Sequence, residues 1–160
     1  MVLVLVMFST PGKKLPVSGK VFPAAIKGRT PLPFYQARVP AGFPSPADDY
    51  LEGELDLNEL LIEHPAATFF VRLAGDSMVR AGLFDGDILI VDRAVKASHR
   101  HIVVAVIDGE MTVKRLFARG GQVELRPENP AYKPIVIGEG RELVIWGVVT
   151  GSVRQFRARS

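Results

Sequence analysis

A chain of 160 residues, 48% hydrophobic and with a mean hydropathy of +0.19, holds material for one core rather than two. Twelve prolines and fifteen glycines argue against a helical bundle, and the absence of cysteine excludes a disulfide framework and a thiolate metal site, in keeping with a reducing, cytoplasmic setting. The net charge of +3 conceals an asymmetry: residues 1–41 hold six basic residues (Lys13, Lys14, Lys20, Lys27, Arg29 and Arg38) and no acidic one, while the remainder carries 14 basic and 17 acidic, a balance of −3.

The opening run Met1 to Phe8 is apolar but ends at Ser9-Thr10-Pro11, well short of the ~20 residues that span a bilayer. Lys13 and Lys14 fall on the wrong side of it for a secretory signal, so it reads as an extended segment that packs as a strand on the body or a partner. The basic, proline-rich stretch that follows has little periodicity and cannot bury enough apolar surface to hold itself together. An extended N-terminal arm over residues 1–41, flexible or lying on the body, is therefore expected.

At Gly42 the composition changes, and a β-rich domain is expected over residues 42–160. Gly42 to Tyr50, with Pro44 and Pro46, is a stiff connector. Asp56-Leu57-Asn58-Glu59 predicts a short helix that ends before Pro65, with Asp56 as N-cap, Glu59 three residues on, and an apolar face of Leu57, Leu60 and Leu61. Alternation over residues 68–73 predicts a strand, and Gly75 permits a sharp turn that presents Ser77 at the start of the next element.

Asp85-Gly86 precedes a strand over Asp87 to Val91, and Ile102 to Ile107 reads as a strand buried on both faces. Asp108-Gly109 is a two-residue hairpin signal leading into Met111 to Phe117, and Gly120-Gly121 makes a second into Gln122 to Arg126. Leu143 to Val149, with the single tryptophan Trp146, supplies a late strand. The expected class is all-β: a compact, highly twisted, partly barrel-like domain with one short helix. His64, His99 and His101 are too scattered for a metal site, no cofactor is expected, and there is no helix-turn-helix or phosphate loop.

Ser77 and Lys114 are the candidate catalytic pair. A serine hydroxyl needs a neighbour to take its proton, and a lysine can do so only when neutral. Burial supplies neutrality by disfavouring the ammonium, lowering the pKa from about 10.4 by as much as ~3–5 units. The amides of Ser77 and Met78, at the start of the new element, are candidates for an oxyanion hole. Period-2 alternation puts Thr112, Lys114 and Leu116 on one face and Met111, Val113, Arg115 and Phe117 on the other. The pattern therefore leaves open whether Lys114 or Arg115 is the buried cation.

Ala41-Gly42-Phe43-Pro44-Ser45-Pro46-Ala47, Asp56 to Ile62, Gly75-Asp76-Ser77-Met78, Asp85 to Asp92 and Thr112-Val113-Lys114 together resemble the LexA/UmuD family of self-cleaving serine-lysine proteases, in its UmuD branch, from about Ala41 to Val149. The resemblance implies a serine endopeptidase fold in which Ser77 is nucleophile, Lys114 general base and Ala41-Gly42 the bond cut. Alanine before the glycine is the form usual in the LexA branch. It further implies an SOS-response role in error-prone DNA repair: a homodimer stimulated by the RecA filament on single-stranded DNA, serving a UmuC-like translesion polymerase, with the replication clamp as a further candidate partner. Met1 to Pro40 does not match. A LexA-like repressor would need a helix-turn-helix there, so no sequence-specific DNA binding is expected. The rival readings are a non-catalytic interaction module and a membrane-bound signal peptidase, which would need a spanning segment.

Overall fold

The computed structural model describes residues 28–35 and 51–156. The apolar opening run, most of the arm, the proline connector and the Ala41-Gly42 bond lie outside these residues. Residues 25–63 and the chain from His64 onward form separate compact units.

In the first unit, β1 (Leu32–Tyr35) pairs antiparallel with β2 (Leu51–Leu55), Leu32 opposite Leu55 and Tyr35 opposite Leu51. Part of the expected arm is thus a strand, and its partner Leu51–Leu55 had no strand signal in the sequence. After β2 comes helix α1 (Leu57–Leu61), which Asp56 caps: one carboxylate oxygen accepts from the Asn58 amide at 2.8 Å, the other from the Thr30 amide at 2.7 Å. Those two amides hold the Asp56 carboxyl below the usual range, Thr30 first. Glu59 does not fold back on the cap but pairs with Arg29 at 2.8 Å. The expected apolar face is not buried either: Leu57 is 56% and Leu60 61% exposed. Five residues make little more than one turn, and the cap, not the leucines, holds it.

The second unit is a seven-stranded antiparallel sheet built from β3 (Thr68–Arg72), β4 (Ile88–Asp92), β5 (Ile102–Ile107), β6 (Glu110–Arg119), β7 (Gln122–Arg126), β8 (Ile135–Val136) and β9 (Leu143–Val153). The strand order is β3-β4-β9-β5-β6-β7-β8. Both predicted hairpins form, and for the predicted reason: Asp108 (φ 49°) and Gly109 (φ 91°), then Gly120 (φ 60°) and Gly121 (φ 79°), supply the consecutive left-handed residues that a tight right-twisted hairpin needs.

β9 runs four residues further than its sequence signal and carries the sheet's curvature. Trp146 is an extra residue against β5, and Thr150 an extra residue against β4. Each bulge bends the strand and increases its twist. Between the bulges Gly147 allows close approach, since a Cβ there would lie 2.7 Å from Val91 Cγ1 and 3.0 Å from the Asp92 carbonyl oxygen.

β5 is buried on both faces, as its unbroken apolar run requires. Val103, Ala105 and Ile107 join one cluster with Leu116, Leu125 and Ile145, while Val104 joins another with Phe69, Met78, Leu89 and Val113. Apolar burial at roughly 25 cal/mol per Å² makes these clusters the main source of stability. The same unit holds an ion pair of which one member, Asp87, is buried. Asp87, 2% exposed, accepts from Arg154 Nε at 2.7 Å and Nη2 at 2.6 Å and from the Phe84 amide at 2.9 Å. The Arg154 guanidinium, which also donates to the Gly82 carbonyl, holds the Asp87 carboxyl below its ordinary range.

Candidate active site

β3 ends at Arg72, and Gly75 turns the chain at φ 86° while its amide donates to Asp85 Oδ1 at 2.7 Å. Met78 then anchors the turn: its side chain is fully buried in the second cluster, and its carbonyl accepts from Ala81 and Leu83 in a single helical turn over Val79–Ala81. Next to this anchor, Ser77 stays half-buried. Among the described residues, no acceptor takes the amide of Ser77 or of Met78, so both N–H groups are available to a substrate oxygen.

A second segment holds this turn from outside. The Ser77 carbonyl accepts from the Glu128 amide at 2.8 Å, and the Glu128 carbonyl accepts from Arg80 at 2.9 Å. Asn129 Nδ2 donates to the Asp76 carbonyl at 3.0 Å, and the Tyr132 hydroxyl donates to the Asp76 carboxylate. Neither Glu128, Asn129 nor Tyr132 stood out in the sequence. All lie about fifty residues from the turn they hold, and no local pattern marks such a contact.

β6 brings up the lysine. Its ladder sets Lys114 opposite the fully buried Val103 and Arg115 opposite Ile102. The question that alternation left open is resolved by burial and partners. Lys114 is 9% exposed, while Arg115 is turned to Glu128, with which it forms an ion pair, and donates to the Arg100 carbonyl at 2.7 Å.

Lys114 Nζ lies 2.9 Å from Ser77 Oγ, 2.9 Å from Thr112 Oγ1 and 2.9 Å from the Val113 carbonyl oxygen. No carboxylate among the described residues pairs with it, and burial pushes its ammonium below the ordinary lysine value of 10.5. A neutral amine has two N–H donors and one lone pair. The Val113 carbonyl can only accept, and when the Thr112 hydroxyl accepts as well, the remaining lone pair is left for the Ser77 hydroxyl. A charged ammonium in the same place would spend all three donors and could take no proton. In its neutral form Lys114 therefore has a lone pair within reach of the Ser77 hydroxyl.

A serine and a shielded lysine on a β scaffold define a class of peptidase, and the comparisons with known proteins name it. Residues 33–150 match the peptidase S24-like family. The chain is 52% identical over 126 residues to Protein SamA of Salmonella typhimurium, covering 79% of this chain and 87% of that protein. It is 49% identical over 123 residues to Protein MucA of Escherichia coli, covering 76% of this chain and 84% of that protein. To the LexA repressor of Citrifermentans bemidjiense it is 42% identical over 118 residues, 73% of this chain and 58% of that longer protein. The chain belongs to the peptidase S24-like family of self-cleaving serine proteases, within its UmuD-like branch of SOS mutagenesis proteins. No helix among the described residues is long and apolar enough to cross a membrane.

Proposed function

We propose that this chain cuts its own Ala41–Gly42 bond, with Ser77 as nucleophile and Lys114 as general base. The distance of 2.9 Å between Lys114 Nζ and Ser77 Oγ, in a site where burial disfavours the ammonium, is the observation that carries this reading. Neutral Lys114 takes the Ser77 proton as Oγ attacks the Ala41 carbonyl carbon, and the amides of Ser77 and Met78 receive the developing oxyanion. The lysine ammonium then gives its proton to the Gly42 nitrogen as the C–N bond breaks. Water, deprotonated by the regenerated amine, attacks the Ser77 ester and frees the Ala41 carboxylate. The small side chain of Ala41 and the absence of one at Gly42 let the backbone enter a narrow cleft.

Such a site turns over only when the carbonyl comes within ~3–3.5 Å of Oγ. We assign the regulated step to that docking, stimulated by the RecA filament on single-stranded DNA. The product, residues 42–160, acts as a homodimer with a UmuC-like translesion polymerase, in the cytoplasm. Likeness to Protein SamA and Protein MucA supports this assignment over that of a repressor, since 87% and 84% of these two are covered against 58% of the LexA repressor. The test is to incubate purified protein with and without the filament and nucleotide and to weigh the products. A fragment beginning at Gly42 is expected. An uncut chain in every condition would leave an interaction module with an unused pair.

A further inference from the structure

The first unit holds a surface that the cut would uncover. β1 belongs to residues 1–41 and β2 to the remainder, so the proposed bond lies in the chain between two paired strands. Before the cut, that short connection keeps β1 at an effective concentration of roughly millimolar beside β2. After it, the contacts of the arm that lie among the described residues, a four-residue pairing, the Thr30–Asp56 hydrogen bond and the exposed Arg29–Glu59 ion pair, act without that tether.

β1 carries Pro33, flanked by Pro31, and a proline strand is one that does not invite a further neighbour. β2, Leu-Glu-Gly-Glu-Leu, has no proline. When β1 departs, the edge of β2 that it covered regains unpaired N–H and C=O groups. Beside it, Asp56 loses the Thr30 donor and Glu59 loses Arg29, while Leu57 and Leu60 are already exposed on the same helix.

We propose that self-cleavage creates a docking site for an extended segment of a partner protein, which adds to β2 as β1 did and presents a basic residue to Glu59 and a backbone donor to Asp56. The arm is the template for that occupant: Arg29, Thr30, then the strand Leu32–Tyr35. This rests on the Ala41–Gly42 reading for the event that opens the site, but not for the site itself. Strand addition draws its affinity from main-chain hydrogen bonds and its selectivity from the flanking charges, here acidic. The intact chain blocks the site with its own arm.

The probe is a synthetic peptide of residues 28–36, titrated into three full-length proteins: the self-cut chain freed of its arm, the uncut Ser77→Ala chain, and a Ser77→Ala chain nicked by an external protease at a recognition site introduced between residues 36 and 50. Amide shifts confined to residues 51–61 of both cut forms, and absent from the uncut one, are expected. Arg29→Ala in the peptide should weaken binding and flatten its salt dependence, and Asp56→Asn in the protein should weaken it roughly 5- to 30-fold. Equal binding to cut and uncut chains, or indifference to both substitutions, overturns the proposal. If the chain does not cut itself but the nicked chain binds, the cleavage reading fails and the docking site stands.

Discussion

Lys114 and Asp87 are both buried ionisable groups of the same β-rich unit, and the fold treats them in opposite ways. Asp87 receives a two-pronged guanidinium and a backbone amide, so its charge is matched and its pKa falls. Lys114 receives neutral oxygens and, among the described residues, no carboxylate, and burial lowers its pKa as well, which for an amine disfavours the charged form. A downward shift therefore stabilises the charged form of one group and disfavours the charged form of the other. Paired burial makes a clamp; unpaired burial makes a base.

The comparison breaks most visibly at the reactive end. Ser77→Ala and Lys114→Ala should each lower self-cleavage by at least ~10⁴-fold, read as the fraction of intact mass over time, with the fold retained by circular dichroism. Lys114→Arg should be as inactive, because a guanidinium does not give up its proton. In the unsubstituted chain, cleavage without activator should quicken as pH rises through the depressed lysine value and level off before 10.5. A flat profile with the fold intact would remove Lys114 as the base.

Stability should divide the two groups by sign. Arg154→Ala leaves Asp87 as an unmatched buried anion and should lower Tm by about 5 °C at pH 7. Because the folded-state pKa of Asp87 is depressed, the clamp's contribution is full above about 3.9 and is lost as pH falls through the folded value. The variant should therefore converge on the parent in acid. Lys114→Met, which replaces an unmatched charge by an apolar chain, should match or exceed the parent in Tm. A depressed lysine costs stability below its folded-state pKa and recovers it as pH rises toward the unfolded value, so any advantage of the methionine should shrink in alkali.

Two smaller changes sharpen the contrast at the site itself. Thr112→Val removes one of the three oxygens around Nζ and should slow cleavage by roughly tenfold, while moving its pH midpoint further down. Tyr132→Phe takes one of two side-chain donors from the Asp76 carboxylate on the outside of the Ser77 turn. It should slow cleavage only about two- to threefold at every pH, since it affects where Ser77 sits rather than the proton it gives up.

The hairpins at Asp108-Gly109 and Gly120-Gly121 were legible because each is decided by two adjacent residues that tolerate left-handed backbone. Helix α1 was legible at its cap and not at its leucines, for a cap is local and burial is not. Ser77 and Lys114 could be proposed from their own motifs and the family resemblance, but the neighbouring Arg115 was an equal candidate for burial until Glu128 claimed it. The Asp87–Arg154 clamp joins residues 67 positions apart, which no window along the chain can connect.

By itself the sequence determined where the two tight hairpins of the sheet turn, the cap of α1, and the residue types able to carry acyl transfer. Those depend on backbone sterics and side-chain chemistry confined to a few neighbouring positions. Tertiary structure alone decided which cation is stripped of water, which hydroxyls come within reach of its nitrogen, and that residues 32–35 form a strand joined to β2. Each depends on what comes to surround a residue once distant segments pack, and on the dielectric that packing creates.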